Sequence, residues 1–511
     1  MKTDTGKSFQ PTTIGNVSLL LLIIAIALFY GLTLREGHNW GGDFSQYIYH
    51  AKNIAEGRRY EDIRVIHNPL NYVAPKIYPP VAPLVLAPVY YYFGLDLTAM
   101  KLEQLVFFSL SLLVMGQLFG RNLPAVGVLA VIALFALNPY VWIQKDNIHS
   151  EDLFILFSFL SLLLMELYNS KNRYASWRGF GVLLGLVMYL AYASREIGVV
   201  LPLTVVTYEL AIKRRLTVTA LISVAVFLLF AWLQKNILVP QSLYPEIEAR
   251  LSVMAARIDM KELTHSSIFR FDLWYVGKQI LRYSESLVEF WSASYRPGVF
   301  AAIFFSLLAL AGYGRRLWLK VSVAEIYVAG YIAVILLFSG FQGTRYLLPV
   351  IPLYLYYALV GMQLLGGYIG KRIAVVLLVV VIGGTGSVYL HEYNDQNFRT
   401  IQNGISRPDA VAMFDYIREA TLPNDLIVFR KPRVMLLLTD RESVVYPARY
   451  NPPLFLEFLE VVAADYVVAG DFDSDQAVLR PVIDQYPDRF LPVFSRGEFT
   501  VYRYLPPKSA P

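Results

Sequence analysis

Asp43 stands in the stretch GGDFSQYIYH, residues 41–50, a few positions past the first long apolar run of the chain. A carboxylate at the edge of such a run is costly unless water, a partner charge or a ligand receives it. Glu151 and Asp152 open another apolar run, LFILFSFLSLLL, in the same way. Arg195, in SREIG, and Arg345, in GTRYLLPVIPL, place guanidinium groups in equally apolar surroundings. Two carboxylates facing one cavity can take a proton from a hydroxyl or bind a divalent cation through oxygen. A forked guanidinium is shaped to hold a phosphate.

Each of these residues also has a structural reading. Gly-Gly-Asp ahead of FSQYIYHAKNIAEG is a helix start, with Asp43 as the N-cap at the positive end of the helix, and a cap can also act as a base. Phe44, Tyr47, Ile48, Ala51 and Ile54 form one stripe, which predicts a helix lying along the membrane interface. Glu151 and Asp152 suit a helix N-terminus; side chains of consecutive residues point about 100° apart, so one of the two faces the cavity, and Glu151 is preferred. Arg195 and Arg345 can instead be interface arginines whose heads reach water, Arg195 beside Glu196. Lys76 and Tyr78 lead the block YPPVAPLVLAPVYYYFG (78–94) and are expected to face a polar cavity. His50, Arg58 and Tyr346 complete the candidate binding set. His50, His67 and His149 lack a metal-ligand spacing and also read as structural or exposed histidines. No cofactor is firmly indicated; a divalent metal held by Asp43 and Glu151 stays open.

The elements that must position these groups are membrane helices. Of 511 residues 56% are hydrophobic and only 16% charged, against about 25% charged in soluble proteins, and the mean hydropathy is +0.46. Apolar blocks near the ~20 residues needed to cross a bilayer occur at 14–34, 98–118, 124–142, 152–169, 178–194, 197–211, 215–238, 295–312, 322–340, 346–366 and 372–390. The net charge of +6 comes largely from short basic connections at 169–178, 213–215, 314–320 and 371–372. The positive-inside rule puts those in the cytoplasm, so nucleic-acid binding is not implied. With Lys2 and Lys7 also inside, parity gives eleven spans, with block 78–94 re-entrant or juxtamembrane rather than spanning. Loops 35–97, 143–152 and 239–294 and the tail then share the outer face, and the first run is a retained signal anchor. The absence of cysteine excludes disulfides and thiolate sites.

The expected architecture is an α-helical polytopic membrane protein, residues 1–390, followed by a soluble extracytoplasmic α/β domain, residues 391–511. In that tail DLIVFR, ADYVVAGDF and FTVYRYL alternate with helical patterns such as PDAVAMFDYIREA.

GGDFSQYIYHAKNIAEGRRY, KIYPPVAPLVLAPVYYYFG, NIHSEDLFILF, SREIG and TRYLLPVIPL, in that order, resemble the GT-C-fold glycosyltransferases, in particular the protein O-mannosyltransferase and aminoarabinose-transferase group. The resemblance covers about the first 365 residues. It implies an inverting transfer of a sugar from a polyprenyl-phosphate donor to an extracytoplasmic glycan, lipid or protein hydroxyl. Asp43 corresponds to the family's catalytic base and Glu151 or Asp152 to its second acid. Arg345, Lys76 and Arg195 are the candidates for the donor phosphate. It further implies a multi-pass protein of the plasma (inner) membrane, with its N-terminus cytoplasmic and its C-terminal domain periplasmic. Asp43-Phe44 departs from the Asp-Glu pair usual in protein O-mannosyltransferases, and the oligosaccharyltransferase motif WWDYG is absent. The competing class is a transporter or flippase for a lipid-linked or anionic substrate, for which no inverted repeat is visible.

Overall fold

The computed structural model describes residues 13–170, 179–257, 269–292 and 296–507. Lys2 and Lys7, most of the basic connection 169–178 and the middle of loop 239–294 lie outside the described residues.

Helices dominate, because in hydrocarbon every N–H and C=O must find a partner and a helix supplies all of them from one segment. In chain order they begin α1 (Thr13–Leu32), α2 (Gly42–Ala55), α3 (Val81–Phe93), α4 (Leu97–Phe119), α5 (Ala125–Ala136) and α6 (Pro139–Gln144). Next come α7 (Glu151–Asn169), α8 (Phe180–Tyr192), α9 (Val200–Thr207), α10 (Val218–Ile237), α11 (Pro245–Arg257) and α12 (Leu273–Trp291). The apolar part closes with α13 (Arg296–Leu319), α14 (Val323–Leu337), α15 (Ile351–Ile369) and α16 (Lys371–Asn394). Polar residues set several of the starts. Asp96 accepts from the N–H groups of Thr98 and Ala99 at 2.9 and 3.0 Å, and Asn138 accepts from Tyr140 at 2.8 Å. Ser322 and Glu325 cap α14 reciprocally.

Five helices among the described residues are long and apolar enough to cross a membrane: Gly15–Leu32, Leu97–Phe119, Val218–Ile237, Pro297–Leu319 and Arg372–Asn394. Their outer faces stay bare: Leu21 and Leu28 on α1, Leu228 and Trp232 on α10, Phe300 and Leu307 on α13, and Val376 and Val380 on α16 are all exposed. Apolar surface of that extent needs lipid around it. The chain is a multi-pass membrane protein. Inside, α13 and α15 touch at backbone level, because a Cβ on Gly312 would strike Tyr357 O and one on Gly361 would strike Leu308 O.

The tail is the expected small α/β unit. Helices α17 (Pro408–Ala420), α18 (Pro432–Thr439), α19 (Pro452–Val461) and α20 (Arg480–Gln485) cover strands β2 (Leu426–Val428), β3 (Glu442–Val444), β4 (Tyr466–Ala469), β5 (Phe490–Arg496) and β6 (Phe499–Tyr504). The sixth strand, β1 (Val65–Ile66), comes from the first loop, and the sheet order is β1-β3-β2-β4-β6-β5. Val65 and Ile66 pair in parallel with Ser443 and Val444. Asn68 and Asn71 donate to Val445 O and Tyr446 O, each at 2.8 Å. Trp40 is buried among Phe414, Phe429, Phe472 and Phe499 of the tail. Loop one and the tail therefore share one core.

This sharing corrects the interface reading of α2. Phe44, Ile48, His50 and Ala51 are all at most 1% exposed. The helix packs on α3 and α18 and reaches the start of α7 through Tyr47, whose hydroxyl lies 3.0 Å from Ser150 Oγ. It is a buried spacer between the membrane helices and the tail.

Candidate functional site

Side chains from six places in the chain converge: Asp43 on α2, Tyr78 ahead of α3, Glu151 at the start of α7, Arg195 after α8, Arg345 ahead of α15 and Arg433 on α18. The cap of α2 is Gly41, which makes no side-chain cap, and Asp43 sits in the first turn rather than at the N-cap. The expected capping role fails because the carboxylate has stronger partners elsewhere. Oδ1 accepts from the Tyr78 hydroxyl at 2.6 Å, and Oδ2 accepts from Arg345 Nη1 at 2.8 Å. Arg345 lies on the short turn Gly343–Tyr346, where Gly343 has φ +58. The neighbouring Thr344 hydroxyl, 2.9 Å from Ser286 O and 2.8 Å from Glu289 Oε2, pins that turn to α12.

The same guanidinium donates through Nε and Nη2 to Glu151, the second of these contacts at 3.1 Å. Glu151 is 1% exposed, and Arg195 also donates to it. Arg345 thus bridges Asp43, a partly open carboxylate, to Glu151, a closed one. Arg195 lies 5.5 Å from the centre of the Tyr346 ring. The connection that carries Arg195, just after α8, holds the first loop as well, since Val81 N–H donates to Ala193 O at 3.0 Å.

Tyr78 hands the network on to the tail. Its hydroxyl accepts from Arg433 Nη1 at 2.9 Å, and the same nitrogen donates to Gln46 Oε1 at 3.1 Å and lies 3.6 Å from Asp43 Oδ1. Gln46 in turn donates to Pro75 O and Lys76 O at 3.2 and 3.0 Å, which fixes the approach to α3. Gly42 makes room for Arg433, whose guanidinium occupies the space a Cβ there would need. Burial alone would raise the Asp43 carboxyl; the Arg345 charge, the Tyr78 hydroxyl and Arg433 reverse that and hold it below the ordinary carboxylate range.

Of the residues singled out by sequence, Asp43, Tyr78, Glu151, Arg195, Arg345 and Tyr346 come together. Four others do not join them. Asp152 turns away to line a small buried pocket with Tyr30, Gln104, Lys145 and His149. Lys76 is paired with Glu248 at 2.5 Å, and Arg58 is exposed and paired with Glu56. His50 is fully buried: Nδ1–H donates to Tyr60 O at 2.7 Å and the ring stacks on Tyr60. It is a structural histidine rather than a binding group, and burial lowers its pKa to about 4. The residue that sequence reasoning missed is Arg433, in the run RKPR at 430–433; its signal was three cations in four positions at the start of a helix.

Arg345 occupies the space between Asp43 and Glu151, and no group of three His, Cys, Asp or Glu suited to a metal exists among the described residues.

No protein-family model matches the chain, and no curated protein matches it. Solved structures do. The crystal structure of ArnT from Cupriavidus metallidurans bound to undecaprenyl phosphate aligns over 97% of this chain and 99% of that one, at 13% identity and a TM-score of 0.58. The oligosaccharyltransferase AglB from Archaeoglobus fulgidus, in complex with an inhibitory peptide and a dolichol-phosphate, aligns over 90% of this chain and 70% of that one, at 11% identity and a TM-score of 0.58. The arabinofuranosyltransferase AftD from Mycobacteria aligns over 97% of this chain but 42% of its own length, at 11% identity and a TM-score of 0.54. The chain has the GT-C fold.

Proposed function

We propose that this protein is an inverting glycosyltransferase that moves a sugar from a polyprenyl-phosphate donor to an acceptor hydroxyl at the extracytoplasmic membrane face, with Asp43 as the base. The observation that carries the reading is the Asp43–Arg345–Glu151 bridge, set at the membrane-helix ends of a GT-C fold. The solved ArnT and AglB structures of that fold hold undecaprenyl phosphate and dolichol-phosphate, which favours a lipid phosphate as donor.

The chemistry follows from the pairings. When the sugar's anomeric carbon leaves the lipid phosphate, negative charge grows on the departing oxygen, and preorganised cations next to it stabilise that charge. Arg345 is such a cation, and Glu151 fixes two of its nitrogens. Arg195 stands behind, holding Glu151 ionised and in place. An arriving phosphate competes with Asp43 for Arg345 Nη1. As that contact is surrendered, Asp43 loses the charge that depresses its pKa and becomes a stronger base toward the acceptor hydroxyl. Donor binding thereby arms the base. One displacement inverts the anomeric centre, so a single base suffices and no covalent intermediate is needed.

The test is turnover of polyprenyl-phosphate sugars by the purified full chain in nanodiscs. Asp43→Asn keeps the side-chain shape and one of its two acceptor oxygens, and it is expected to fold, bind polyprenyl phosphate and lose ~10²–10⁴ in turnover, the usual worth of a general base. Full activity in that variant removes Asp43 from the chemistry, and no donor consumption by the wild type with any polyprenyl-phosphate sugar defeats the reading.

A further inference from the structure

A cavity of about 330 Å³ opens on the side of Asp43 turned toward the tail, and Arg430, Lys431 and Arg433 form its wall opposite Asp43, Asn71 and Tyr72. Three cations thus face one carboxylate, and that carboxylate is already paired with Arg345. Arg433 is committed to Gln46 and Tyr78. Arg430 and Lys431 make no ion pair with any carboxylate among the described residues. The Nζ of Lys431 lies 5.8 Å from the centre of the Phe472 ring. Side chains of like charge gathered around a partly closed space repel one another, and an oxyanion there relieves the repulsion. The lowered pKa of Lys431, set by burial and then by Arg430 and Arg433, records the same strain. The N-terminal end of α18 lines the cavity too and adds its positive end.

We infer that this cavity is the acceptor site and that Arg430 and Lys431, supplied by the tail, recognise an acceptor carrying an oxyanion, phosphate or carboxylate. The inference rests on the glycosyltransferase reading for the word acceptor; the anion site itself does not. Position separates this site from the donor's. Asp43 lies on α2, between two sets of cations. Arg345 reaches it from the connection that leads out of α14 into α15, with Nη1 2.8 Å from Oδ2. The RKPR run reaches it from the sheet domain, with Arg433 Nη1 3.6 Å from the other oxygen, Oδ1. A base between a donor phosphate and a second, solvent-side anion site is placed to take its proton from whatever the second site holds.

The experiment uses the full chain in nanodiscs and two probes, undecaprenyl phosphate and inorganic phosphate, with phosphate titrated in the presence of saturating undecaprenyl phosphate. The wild type is expected to bind both at once. The double variant Arg430→Gln/Lys431→Gln is expected to lose phosphate binding at least tenfold while keeping undecaprenyl phosphate within twofold. The charge-conserving pair Arg430→Lys/Lys431→Arg restores phosphate binding, which separates charge from folding. If undecaprenyl phosphate excludes inorganic phosphate and the double variant loses both, the cluster belongs to the donor and the acceptor assignment is wrong. Phosphate binding unchanged in the double variant overturns the site altogether. If the wild type ignores undecaprenyl phosphate yet binds inorganic phosphate through Arg430 and Lys431, the donor reading of the preceding section fails and the anion site stands.

Discussion

Glu151 sits almost fully buried with two arginines on it, a geometry in which neutralising the acid does more harm than removing a surface charge. Glu151→Gln leaves Arg195 without its carboxylate and Arg345 with Asp43 alone, and breaking a buried pair from one side costs about 3–5 kcal/mol. The expected result is a clear fall in thermal midpoint in detergent, with Asp43→Asn, whose residue is 29% exposed, close to wild type. His50 makes a separate prediction. Its folded pKa is depressed to about 4 from an ordinary 6.5, so below pH 6.5 the unfolded chain takes up a proton that the folded chain refuses. Stability therefore falls as pH drops from about 6.5 toward 4. Thermal midpoints of His50→Gln across that window should be flatter than those of the wild type; equal slopes would assign the acid sensitivity elsewhere.

Helix pairs carry the next level. The contact of α13 with α15 depends on Gly312 and Gly361, each meeting a carbonyl of the facing helix with no room for a β-carbon. Gly361→Val is expected to wedge the pair apart and to displace the turn carrying Arg345, which leads directly into α15. Loss of both thermal stability and undecaprenyl phosphate binding, measured on one preparation, is the outcome that supports this. Most of these helices could be read from sequence, because a run of apolar residues near bilayer length has few other solutions. The site was legible as a set of residue types for the same reason: Asp43, Glu151, Arg195 and Arg345 are charges where charges are rare. Their pairing was not legible, since it joins positions up to 302 residues apart. The RKPR run stood in a polar, soluble-looking tail, where three cations are unremarked. β1 is only two residues long, too short for any alternation to announce it. His50 and Arg58 carry suitable chemistry, but burial against Tyr60 and pairing with Glu56 keep them out of the site.

At the scale of the molecule, the tail is not an appendage. Trp40 fills its aromatic core, β1 completes its sheet, and Arg433 completes the surroundings of Asp43. Trp40→Ala removes a large buried side chain, a change that costs about 3–5 kcal/mol in a packed core. Hydrogen exchange should then quicken together in residues 36–80 and 426–446, with the membrane helices unchanged. Exchange confined to the immediate neighbours of Trp40 would mean that loop one and the tail hold their structure independently.

The position of β1 also sets an order of events in biosynthesis. Val65 and Ile66 leave the ribosome some 380 residues before the strand that receives them, Glu442–Val444. Until that stretch has been made and moved to the same side of the membrane, loop one has no sheet to join and Asp43 has no Arg433 beside it. Contacts so distant in sequence form late, after the local helices. A nascent chain can therefore have its apolar runs inserted and still lack both the partner strand of β1 and the cation beside Asp43 until residues 430–444 arrive.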